Sequence, residues 1–249
     1  MRMRVLAAAA AVLAAATVGS DGAPRTGQPV DVALVLAADV SRSINDDEFT
    51  LQRRGYAAAI VDAKVLDAIH SGPHGAVAIA FVEWAGEAEQ KTVVDWAVIH
   101  DAGEAHAFAD ALLAAPRSFV GRTAIGSALD YAMGVMGESG VAADRHVIDV
   151  SGDGTSNQGR SVTQARDAAI GAGATINGLA IYNKRAAAEG GYLAVHTNPP
   201  GGLAQYYRDN VIGGLGAFVL PIDDFNSFDQ AMIHKLVSEI ADARRFEIR

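Results

Sequence analysis

A chain of 249 residues, half of them apolar, is long enough for one well-buried core of roughly 200–230 residues and short for two. Its 20 Lys and Arg stand against 29 Asp and Glu, a formal charge of −9, which repels phosphate backbones and anionic lipid and argues against nucleic-acid binding. Cysteine is absent, which excludes disulfides and thiolate metal sites and leaves stability to packing.

At the N-terminus, Arg2 and Arg4 precede an alanine-rich apolar run from Val5 to Val18, and small residues follow at Gly19 and Ser20. This is the three-part layout of a secretory signal peptide over residues 1–20. The run is about 14 residues, short of the roughly 20 that span a bilayer. Cleavage after Ala16 and after Ser20 both meet the small-residue preference, so the mature chain is expected to begin between residues 17 and 24. The product is then periplasmic or secreted. Losing residues 1–20, whose only charges are Arg2 and Arg4, takes the formal charge from −9 to −11. No later stretch reads as a membrane span, so stable membrane insertion after cleavage is not expected.

A polar linker, residues 21–29, leads into a single domain expected over residues 30–249. Val32 to Ala38 is a continuous apolar run, the signature of a strand buried on both faces. Asp46 to Ile69 reads as one helix, with Phe49, Tyr56, Ile60 and Leu66 among its apolar positions. Strands follow at Ala76 to Trp84 and Lys91 to Ile99, the latter a candidate antiparallel edge. Helices at about Glu104 to Ala114 and Ala124 to Met136 are separated by Pro116 and Gly121. Arg145 to Ser151 reads as a strand, Val162 to Ala172 as a helix and Thr175 to Tyr182 as a strand. Asn183 to Gly202 lacks periodicity and reads as a long surface loop. Leu203 to Val211 is a short helix, Ala217 to Ile222 the last strand and Phe228 to Arg245 the last helix. The alternation predicts an α/β fold, a doubly wound, mostly parallel six-stranded sheet with helices on both faces, its ligand site beyond the carboxyl ends of the central strands.

Directly after the first strand comes Asp39-Val40-Ser41-Arg42-Ser43, an acid and two hydroxyls at alternate positions. In an extended turn, residues two apart point the same way, so the three oxygens converge. Gly152-Asp153-Gly154 places a carboxylate after another central strand, and Gly121-Arg122-Thr123 places a hydroxyl before a helix. These are hard oxygen donors, suited to a small hard cation; Mg²⁺ takes about six oxygens near 2.1 Å. Ser, Thr and Asp are also favoured helix N-caps, and all three clusters precede helices. Three clusters after the right elements favour the metal reading over capping.

The set Asp39, Ser41, Ser43, Thr123 and Asp153 resembles the metal-ion-dependent adhesion site (MIDAS) of the von Willebrand factor A (vWA) family, over about residues 31 to 245. The resemblance implies a Rossmann-like fold and one Mg²⁺, Mn²⁺ or Ca²⁺. The serines and threonine would act as direct or nearly direct ligands, and the aspartates directly or through water. It also implies metal-dependent protein–protein interaction or adhesion rather than catalysis. The segments at 152–159, 176–183 and 206–218 are similar to an uncharacterised family of secreted bacterial proteins with a vWA-like fold. Arg42 departs from the glycine that many vWA sites carry at its position.

Such a ligand set leaves an exchangeable position on an octahedral ion, which a partner's Asp or Glu carboxylate would fill. Because the overall charge does not steer an acid inward, recognition should depend on the local cation, on Arg42 and on the segment 183–202. Enzyme signatures such as GxxxxGK[ST], HExxH and GxSxG are absent. Two alternatives remain open: a metal-dependent hydrolase using Asp39 beside the ion, and a structural module whose ion staples loops. His70 and His74 read as residues of a solvated loop. His100 and His106, with Asp101 and Glu104, read as a polar helix start.

Overall fold

The computed structural model describes residues 26–241; the expected signal peptide and most of the linker lie outside these residues, as does the expected end of the last helix at Arg245, which among the described residues stops at Ile240 with Ala241 extended. Strand β1 (Pro29–Asp39) is apolar almost throughout and buried from Val30 onward. It lies at the centre of a six-stranded sheet of order β3-β2-β1-β4-β5-β6, with β2 Val77–Trp84, β3 Gln90–Ile99, β4 Ala142–Gly152, β5 Ala174–Ile181 and β6 Val219–Ile222. All neighbours are parallel except β2 and β3, so β3 is the expected antiparallel edge. The strand begins at Pro29 rather than Val32. Gln28 already accepts from the Ala142 amide at 2.8 Å, which ties the end of the expected linker into the sheet. Proline opens a strand there without costing a ladder hydrogen bond.

Alternation along β1 divides the core. Val32, Leu34 and Leu36 pack beneath α1 (Asp46–Ile60), α2 (Ala63–His70), α3 (Ala102–Ala114) and α9 (Phe228–Ile240). Ala33, Val35 and Ala37 face α4 (Ile125–Gly137), α5 (Val162–Gly171) and α8 (Leu203–Asn210). Both faces are covered, as parallel sheets require.

Two expectations are corrected. The single helix from Asp46 to Ile69 is two, because the Asp62 carboxylate accepts the Lys64 amide at 2.8 Å and starts a new helix. A short acid bonding its own backbone competes with helix continuation; the break turns Val65 and Ile69 inward beneath α9. The expected loop at 183–202 contains two short helices, α6 (Lys184–Glu189) and α7 (Gly191–Thr197), joined at Gly190 with φ +75°. Helices of six and seven residues are too short to display an amphipathic repeat.

Two buried ionic groups brace the sheet. Arg53 of α1 pairs with Glu83 at the end of β2, and Glu83 also accepts the Ser118 amide at 2.8 Å. Lys235 of α9 lies fully buried, 2.8 Å from Asp149 of β4, and pairs with Glu239 one turn on. Asn177 of β5 donates to Glu239 at 2.9 Å. Burial, then the Asp149 charge, pushes the Glu239 carboxyl up to about 7, against the pull of Lys235 and Asn177.

Candidate metal centre

In the parallel register Ala38 of β1 pairs with Ser151 of β4, so the chain leaves both strands at one rim. Asp39 and Asp153 emerge there side by side. The third segment is drawn in by backbone bonds: the Ala124 amide donates to Ala85 O at 2.8 Å, and the Arg42 amide to Gly121 O at 2.9 Å.

All five candidate oxygen donors are buried, Asp39 and Asp153 at 0% exposure and the hydroxyls at no more than 3%. Four form one hydrogen-bonded chain. The Ser41 amide donates to Asp39 Oδ1 at 2.7 Å, the Ser41 and Ser43 hydroxyls lie 3.2 Å apart, and Ser43 Oγ donates to Asp153 Oδ1 at 2.5 Å. Thr123 is bonded to none of these; its Oγ1 lies 3.1 Å from His196 Nε2. It shares with Ser43 the wall of a cavity of about 680 Å³ that Arg42, Arg122, Arg185 and His196 also line.

Helix capping does not account for these side chains. Asn45 caps α1, in a reciprocal capping box with Glu48. Helix α4 starts at Ala124 with no side-chain cap, and Ser161 caps α5. Ser43, Thr123 and Asp153 are therefore free of the duty that most often explains such residues before helices.

The electrostatics are those of a crowded anionic site. Burial and the neighbouring Asp153 push the Asp39 carboxyl well above the usual range. Burial raises Asp153 to about 6, opposed by hydrogen bonds from Ser43 and Asn183. Asp39 Oδ2 is buried and without a hydrogen-bond partner, as is the Tyr207 hydroxyl. A Cβ on Gly152 would stand 2.6 Å from Tyr207 Oη and 3.0 Å from Asp39 Oδ2, which is why that motif position takes glycine.

Several residues around the site escaped the sequence reading. Arg117 spreads one guanidinium nitrogen over the carbonyls of Val40, Ser41 and Ile44 at 2.8, 3.0 and 2.9 Å, holding the Asp39–Ser43 loop from behind. Asn183 donates to Asp153 Oδ2 at 2.7 Å and to Ser43 O at 3.1 Å, and Arg185 donates to Ser43 O. Burial lowers the His196 imidazole below its ordinary value. Asn183 and Arg185 follow closely on β5 at the ligand-binding rim; Arg117 and His196 carry no such signal.

Of the other histidines, His100 bonds Glu104 at 3.1 Å beside the Asp101 N-cap of α3, a polar helix start. His74 lies 3.3 Å from Asp144. With Asp31 they form the one His/acid group among the described residues whose ligand atoms all lie within 4.8 Å of one another. It sits at the opposite rim, where Asp31 already accepts the amides of His74 and Ala76 at 3.0 and 3.2 Å.

The sheet order, the helices on both faces and the rim built from the ends of β1 and β4 define a vWA-like fold. The chain belongs to the family described as "Protein of unknown function (DUF1194)", which matches residues 29–244. Among solved structures it is similar to proximal thread matrix protein 1 from the mussel byssus with a zinc-occupied MIDAS motif, at TM-score 0.57, 16% identity and 87% coverage of this chain against 47% of that one. A von Willebrand factor type A protein from Catenulispora acidiphila gives TM-score 0.56, 17% identity, 85% and 43% coverage. The open conformation of the pilus adhesin SpaC from Lactobacillus rhamnosus GG gives 0.57, 13%, 88% and 31%. The chain thus spans less than half of each of these proteins, and the likeness is one of fold. A comparison with curated proteins gives no match.

Proposed function

We propose that the chain is exported and binds one divalent cation, Mg²⁺, Mn²⁺ or Ca²⁺, through Ser41, Ser43, Thr123, Asp39 and Asp153. Through that ion it would bind a partner protein rather than catalyse a reaction. The observation that carries this is the pair of fully buried carboxylates, one with an unpartnered oxygen, surrounded by three hydroxyls that no helix cap uses. Two such acids are costly together unless a cation lies between them. When bound, the ion would act as a Lewis acid offering an open position to a carboxylate.

The chain's own residues do the rest. Arg117 and Asn183 hold the loops, and the cavity over the site admits the partner's Asp or Glu. Arg42 and Arg122 have no ion-pair partner among the described residues, and both line that cavity, a local positive rim on an acidic protein. Complete burial of Asp39 supports a role in holding an ion over one as a nucleophile that substrate must reach. The adhesin and matrix proteins that share the fold accord with a binding role. Arg2, Arg4 and the short apolar run support export, and no helix among the described residues is long and apolar enough to cross a membrane.

The test is capture of envelope proteins by the mature chain in Mg²⁺ and in chelator, with Asp39→Ala and Thr123→Ala as controls. Capture should need both the ion and the intact site, and changing the partner's key acid to its amide should weaken it similarly. Capture unchanged in chelator would leave the ion a loop staple and overturn the binding mechanism.

A further inference from the structure

We propose that His196 is a nitrogen ligand to this cation, which tunes the centre toward an imidazole-preferring ion such as Zn²⁺ over Mg²⁺. The inference rests on the metal-binding reading above and refines it.

The observation is geometric. His196 Nε2 lies 3.1 Å from Thr123 Oγ1. Adjacent ligands of an octahedral ion with bonds near 2.1 Å stand about 3.0 Å apart. The Ser41 and Ser43 hydroxyls, 3.2 Å apart, show the same spacing. His196 is 6% exposed and lines the cavity beside Ser43 and Thr123.

The surroundings hold the ring in that pose. His196 Nδ1 lies 3.3 Å from Thr155 Oγ1. With the proton on Nδ1, that hydroxyl is the outer partner that metal-bound histidines usually have, and the Nε2 lone pair is left facing Thr123. The Thr155 amide donates to His196 O at 3.0 Å. The Tyr192 ring stacks on the imidazole with centroids 5.8 Å apart and planes 6° off parallel. Room is made by Gly154, where a Cβ would stand 2.4 Å from Nε2. Four features thus converge to place one ring nitrogen beside a candidate ligand.

An imidazole among oxygen donors moves a site's preference from Mg²⁺ toward Zn²⁺ and its neighbours. It also occupies one coordination position: with the three hydroxyls it makes four, which leaves two of the six on an octahedral ion for the aspartates and a partner's carboxylate, so that at least one aspartate would stand outside the direct shell. The position comes from α7, within the segment expected to be a loop.

The experiment uses the mature chain loaded with Mn²⁺ as a paramagnetic probe and read by pulsed electron paramagnetic resonance. A His74→Ala background removes the other group with metal spacing. A ¹⁴N coupling from a directly bound imidazole is expected, and it should vanish in His196→Gln, which keeps a hydrogen-bonding group for Thr123. In parallel, His196→Gln should lower Zn²⁺ affinity at least tenfold, the lower end of what loss of even an outer-shell partner costs, while Mg²⁺ affinity changes far less. Should the variant fail to fold, ¹⁵N-histidine labelling of the parent protein reads the same coupling. Mn²⁺ bound without nitrogen coupling, or coupling that survives His196→Gln, overturns the inference and leaves the cation site standing. Absence of Mn²⁺ binding overturns both.

Discussion

Asp39 and Asp153 face each other in a place where neither is solvated, and that fixes how single substitutions should behave. Asp39→Ala removes one of two repelling carboxylates, so the variant should be as stable as the parent in chelator, or slightly more so. In Mg²⁺ the order reverses. A cation bound only by the folded chain adds about 2.7 kcal/mol at a hundredfold excess over its Kd, roughly 5–10 °C in melting temperature for a chain of this size. Asp39→Ala should lose that shift, as thermal melts with and without the ion would show. Gly152 offers a steric counterpart. An added methyl would press on the Tyr207 hydroxyl at 2.6 Å, so Gly152→Ala should cost about 1–3 kcal/mol in denaturant melts. Tyr207→Phe should relieve part of that cost in the double variant; an unchanged cost would place the clash elsewhere.

The elements around the site explain which parts of the sequence were legible. β1 could be read because seven apolar residues from Val32 to Ala38 leave no other plausible environment, and Asp39, Ser41, Ser43 and Asp153 because they follow strands, the first three at spacing two, while Thr123 stands after a glycine-bearing segment before a helix. The break at Asp62 could not, since the apolar pattern continues through it and a local carboxylate–amide bond decides the outcome. The α6–α7 segment was missed for lack of length, and with it went Asn183, Arg185 and His196, whose roles depend on contacts distant in the chain, as from Asn183 and Arg185 to Ser43 and from His196 to Thr123. Arg117 was likewise silent in sequence. Removing it takes the guanidinium donor from the carbonyls of Val40, Ser41 and Ile44, of which Ser41 O keeps the Ile44 amide, so Arg117→Ala should cost roughly 1–3 kcal/mol and weaken cation binding, checked by melts and titration of the same sample. Helix α9 carries a separate prediction. Glu239 has its folded value raised to about 7 from the ordinary 4.5, so the folded state binds the proton more tightly than the unfolded one. Its favourable contribution is present in full below the unfolded value and is lost as pH rises through the folded one. Stability of the parent relative to Glu239→Gln should therefore fall between about pH 4.5 and 7; a flat difference across that window would contradict the assignment.

For the whole molecule, a formal charge of −9 beside the arginines Arg42 and Arg122 that line one cavity bears on the proposed short-range recognition gated by an ion. Mass analysis of protein from an exporting host should show a first residue between 17 and 24; an intact Met1 in the membrane fraction would reverse the export reading. The most direct measurement of the central claim is calorimetric titration of Mg²⁺ and Zn²⁺ into the chelator-stripped mature chain, in parallel with Asp39→Ala and Asp153→Ala in the His74→Ala background. One equivalent of cation should bind the background protein and none should bind either variant. Absence of binding, or binding that both variants retain, would contradict a cation centre at the rim of β1 and β4.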